Sequence, residues 1–89
     1  MKLEVYNSAL KNPIYTTQVY VVHDEQRGRY EVYRSKDDKF LGASTMRLLA
    51  LEAACQKVLK GFHKPGIYHA AVDGMPYAWR EVKQEGDGG

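Results

Sequence analysis

Apolar and polar positions alternate from Lys2 to Tyr6, with Leu3 and Val5 set against Lys2, Glu4 and Tyr6. A period of two residues predicts a short half-buried strand. Asn7 to Pro13 interrupts it with turn-forming residues, and the residue before Pro13 is pushed away from helix. The run YTTQVYVVH, Tyr15 to His23, is almost entirely β-branched or aromatic and is the strongest strand signal in the chain. After DEQRG the alternation resumes over Arg29 to Arg34, with Tyr30 and Val32 on one face and Arg29, Glu31 and Tyr33 on the other. This predicts an antiparallel hairpin. SKDD makes a second polar turn, and KFLGA (Lys39 to Ala43) supplies a short further strand.

The period then changes. Leu48, Leu51, Cys55, Val58 or Leu59, and Phe62 recur at steps of three and four, which predicts one amphipathic helix over about residues 45–62. Ser44 or Thr45 is its expected cap, and Gly61 its stop. His63-Lys64-Pro65-Gly66 is a turn, Ile67 to Val72 a strand, Asp73-Gly74 a tight turn and Tyr77 to Val82 the last strand. The element order is β-ββ-β-α-ββ. The expected fold is therefore α+β, an antiparallel sheet of four to six strands with one helix packed on one face.

With 89 residues, the chain has room for one domain. Residues 1–83 read as that domain, and QEGDGG, 84–89, as a flexible C-terminal tail. No apolar run approaches the roughly 18 residues of a membrane span, and the charged start MKLEVYNSAL lacks the apolar segment of a signal peptide. Cys55 is the single cysteine, so no disulfide framework is available and a cytoplasmic setting is expected. Net charge is +2, a mild excess that permits acidic partners without requiring them.

Residues capable of chemistry are few. His23 and Asp24 are neighbours in a strand and point to opposite faces. His69 and Asp73 share a face but stand about 13 Å apart by strand rise. Cys55 falls within the apolar stripe of the helix, where packing outweighs nucleophilic use. There is no glycine-rich phosphate loop, and the histidines and cysteine form no zinc spacing. No catalytic residue, metal or cofactor is expected.

Binding residues are better supplied. Arg29, Tyr33 and Arg34, with Lys36 and Lys39 in the adjoining turn and strand, combine cations and rings as phosphate contact and base stacking require. Pro13-Ile14-Tyr15, Gly42-Ala43-Ser44 and Ala53-Ala54 resemble parts of the double-stranded-RNA-binding domain. Thr45-Met46 stand where that family has its lysine pair, and no helix is expected before Pro13. The AP2 and phage-integrase amino-terminal type is similar in element order only. A second set, Tyr68, Met75, Tyr77 and Trp79 on the last hairpin, has the residue types of protein interfaces. Trp79, the only tryptophan, is expected to bury its ring in the core. The expectation is a cytosolic non-catalytic binding module for nucleic acid. The alternative is a protein-binding inhibitor or adaptor of viral-accessory type, with a free sheet edge available for a homodimer.

Overall fold

A computed structural model describes residues 1–84. Of the tail read at 84–89, everything from residue 85 lies outside the described residues. The chain runs β1 (Lys2–Asn7), β2 (Tyr15–Asp24), β3 (Arg29–Arg34), β4 (Lys39–Ser44), α1 (Arg47–Leu59), β5 (Gly66–Val72) and β6 (Met75–Val82). All six strands join one antiparallel, curled sheet in the order β4-β3-β2-β1-β5-β6, with α1 packed against it. The first four strands form a meander. The helix then carries the chain back across one face, so that β5 pairs on the free side of β1. Pro13 thus follows a strand, and the β5–β6 hairpin completes a sheet wider than three strands.

Turn chemistry closes the hairpins. Asp73 and Gly74 have φ of 50° and 85°, both left-handed, as the mirror-image two-residue turn between β5 and β6 requires. The Asp73 carboxylate also accepts the Lys2 amide at 2.8 Å, tying this turn to the start of β1. Gly28, with φ of 64°, ends the β2–β3 loop, where Asp24 accepts the Arg27 amide.

Leu3, Val5, Val19, Val32 and Leu41 on the sheet meet Ala50, Leu51, Ala54, Cys55 and Leu59 on α1. Leu51, Cys55 and Leu59 of the expected helical stripe are buried there, and its first member, Leu48, is not. Leu48 is 55% exposed, and two alanines occupy the contact face instead. The helix is also shorter than expected, with Met46 as an extended cap that makes no side-chain bond, while Ser44 closes β4 and Phe62 lies beyond the last turn. Among the described residues no helix is long and apolar enough to cross a membrane.

Each outer strand carries one bulge. Val32 pairs with Gly42 and Tyr33 with Phe40, so Leu41 is the extra residue of β4 and enters the core. Ala70 pairs with Ala78 and Ala71 with Pro76, so Tyr77 is the extra residue of β6. Pro76 cannot donate to a further strand, which blunts the β6 edge.

Candidate interaction surface

Register and alternation divide the side chains cleanly. Cross-strand partners share a face, so Leu3, Thr17, Val19, Val32, Arg34 and Ala70 point toward α1. Lys2, Glu4, Tyr6, Tyr20, Arg29, Glu31, Tyr33, His69 and Trp79 point to the opposite, uncovered face.

Two rows of rings cross that open face. In the first, Tyr6 pairs with His69 and His69 with Trp79. Tyr6 and His69 stack at 5.0 Å, and His69 meets the indole at 4.6 Å. Trp79, on the outer strand, is 61% exposed, so the expected burial of the only tryptophan is overturned: alternation sets it against the uncovered side. In the second row Tyr20 stacks on Tyr33 at 5.5 Å, and Tyr33 meets Phe40 edge-on at 5.7 Å. The pairing of Lys2 with Gln18 places Tyr6 and Tyr20 six positions apart along the strands, about 20 Å. Glu4, Thr16 and Gln18 lie between the rows.

Ionised groups hold the second row in place. Arg29 Nε donates to Glu31 at 2.7 Å and the Tyr33 hydroxyl donates to the same carboxylate at 2.9 Å. These bonds, the Arg29 one foremost, keep the Glu31 carboxyl below the usual range although only 6% of the residue is exposed. The Tyr33 phenol is raised by its bond to Glu31. Tyr20 donates to Asp38 at 2.7 Å, and that bond raises its phenol as well. Asp38 holds a left-handed backbone, φ 53°, in the β3–β4 turn. On the other row, burial and the Glu4 charge raise the Tyr6 phenol.

The five residues read from the sequence as a nucleic-acid set do not share a surface. Arg29 and Tyr33 stand together on the open face, bound to Glu31. Arg34 and Lys39, paired across β3 and β4, lie on the helix side, where Asp37 binds Arg34 through both carboxylate oxygens. Lys36 is exposed in the intervening turn. The second set is divided too. Trp79 and Met75 are exposed, Tyr77 is half-buried at its bulge, and Tyr68 is 3% exposed with its hydroxyl donated to the Lys64 carbonyl at 2.7 Å. Tyr6, Tyr20, His69 and Phe40 were missed as a set in the sequence, although their alternation with Val5, Val19, Ala70 and Leu41 carried the signal.

The His–Asp pairs stay apart. His23 stacks on Tyr30 at 4.3 Å while Asp24 caps its own turn, and His69 lies between Tyr6 and Trp79 while Asp73 binds the Lys2 amide. Cys55 is buried in the core, and burial pushes its thiol up to about 12. Among the described residues no three His, Cys, Asp or Glu side chains gather as metal ligands would. Compared with family models, with curated proteins and with solved structures, the chain matches none.

Proposed function

We propose that this chain is a small cytosolic, non-catalytic binding module that docks a protein partner on the open face of its sheet, with Trp79 as anchor. The row Tyr6, His69 and Trp79 carries the reading. An indole 61% exposed, held against a stack of two further rings, offers rigid apolar area at low entropic cost, which is what interface hot spots use. A core role would instead have buried it.

Charge on the same face favours a protein over a polyphosphate. The strands present Lys2 and Arg29 there, each beside a glutamate, at 3.9 Å from Glu4 and 2.7 Å from Glu31. Asp24 and Glu81 add further acid, and Asp38 sits at the Tyr20 hydroxyl. Nucleic-acid affinity comes largely from cations that neutralise phosphates. A face whose cations are already neutralised suits a partner with an apolar centre and a basic rim. The lone buried thiol of Cys55 agrees with a reducing compartment.

Affinity capture from extract, with and without nuclease, tests this with the wild-type chain, Trp79→Ala and Glu52→Ala on the exposed side of α1. A nuclease-resistant protein retained by wild type and Glu52→Ala and lost by Trp79→Ala is the expected result. Release by nuclease, with binding that steepens in salt and weakens on Arg29→Ala, would assign the face to nucleic acid through Arg29 and Tyr33 instead.

A further inference from the structure

On the helix side of the sheet a cavity of about 280 Å³ opens between the end of α1 and the β3–β4 turn. Its polar groups are Tyr15, Arg34, Lys39 and Lys57, brought together from β2, β3, β4 and α1. Phe62 and Val58 form its apolar wall. The Tyr15 and Phe62 rings meet edge-to-face at 6.2 Å.

The donors there outnumber the acceptors. Arg34 has five N–H groups. Asp37 takes two of them, from Nε at 2.9 Å and Nη2 at 2.6 Å, and the Tyr15 hydroxyl takes a third from Nη1 at 3.3 Å. Two guanidinium N–H groups remain without a protein acceptor among the described residues. Because the Tyr15 oxygen accepts from Arg34, its own hydrogen is free to donate. Lys39 and Lys57 form no ion pair among the described residues. Three cations thus line the cavity, and the one carboxylate that pairs with any of them, Asp37, holds Arg34 alone.

The cavity's size narrows the ligand. A cavity of about 150 Å³ already takes one benzene ring, so 280 Å³, at the low end of small-molecule pockets, has room for one ring together with an attached anionic group. We infer that this cavity binds a single aromatic ring bearing an anionic group, a carboxylate or phosphate ester, with the ring against Phe62 and the anion at Tyr15, Arg34, Lys39 and Lys57. The site is independent of the Trp79 face, since Arg34 and Trp79 lie on opposite sides of the sheet.

Amide chemical shifts of the full chain, titrated with phenyl phosphate, benzoate, inorganic phosphate and a capped phosphotyrosine peptide, test the inference. Phenyl phosphate and benzoate should shift Leu41 and Gly61 saturably, and inorganic phosphate should bind at least tenfold more weakly than phenyl phosphate. The double variant Lys39→Gln/Lys57→Gln, altered only at exposed side chains, should lose roughly tenfold in affinity. Trp79→Ala should bind phenyl phosphate as wild type does, which separates this site from the docking face. A peptide binding tighter than phenyl phosphate assigns the ring to a partner's side chain, and equal affinity assigns it to a free small molecule. Absence of saturable shifts, equal binding of inorganic phosphate, or full affinity in the double variant would overturn the inference.

Discussion

A β-carbon at Gly42 would stand 2.8 Å from the backbone nitrogen of Ala54, so α1 rests on β4 where no side chain fits. The obstacle is helix backbone, which cannot swing aside. Gly42→Ala should therefore destabilise the fold by about 1–3 kcal/mol, the range for overpacking a core. Urea unfolding measures it. Wild-type stability in this variant would mean that the helix stands further from the sheet.

Two leucines of the expected helical stripe, three residues apart, have opposite predicted outcomes. Leu51→Ala should cost about 2–5 kcal/mol, because Leu51 is 1% exposed within the core. Leu48→Ala should stay within about 0.5 kcal/mol, as surface changes do. Equal losses at both positions would put Leu48 in the core beside Leu51, as the sequence pattern expects.

Trp79→Ala should also leave stability nearly unchanged, since the indole is 61% exposed. Thermal unfolding decides this before any binding experiment. A drop of several degrees would show that the ring supports the fold, and loss of partner binding would then no longer report on docking.

Acid should weaken the fold through two carboxylates. Arg34 draws Asp37 down to about 2 from an ordinary 3.8, and Arg29 with Tyr33 lowers Glu31. Groups depressed in the folded state bind more protons when unfolded, so their contribution is full above the ordinary carboxylate range and is lost as pH falls toward 2. Denaturation midpoints followed from pH 7 to 2.5 should fall less steeply in Asp37→Asn and in Glu31→Gln than in wild type. A slope unchanged by both substitutions would refute the assignment.

Cys55 should be inert to thiol reagents in the native state at pH 8. Burial raises its thiol to about 12, which leaves almost no thiolate. Labelling should appear only with unfolding and rise along the urea curve. Rapid modification in native buffer would contradict the packing of α1.

Strands and turns were legible because local chemistry specifies them: the β-branched run of β2, the Asp73-Gly74 pair and the alternation of β3 all have short-range causes. The helical stripe was legible at Leu51, Cys55 and Leu59 but not at its alanines, because leucine outweighs alanine in a periodicity reading, whereas the close approach at Gly42 selects small residues such as Ala50 and Ala54 for the contact face. Alternation places Trp79 opposite Ala78 but does not say which side a helix covers, and so the exposed ring was expected inside. The grouping of Arg29, Tyr33 and Arg34 had its own correction in the sequence, since adjacent strand residues point apart. Leu41 and Tyr77 bulge outside any local signal. Convergence of Lys57 with Arg34 and Lys39 depends on the chain's return across the sheet, which no short window contains.

The stagger of about 20 Å between Tyr6 and Tyr20 gives the open face two separate footholds. Their valency is two. A partner long enough to reach both gains the second as an intramolecular event, at an effective concentration set by the span between its own contacts. One that reaches only the Trp79 row leaves Tyr20, Tyr33 and Phe40 unoccupied. Removing the second row would then weaken the long partner by that avidity factor and leave the short one unaffected, so the same chain would rank its partners by their length.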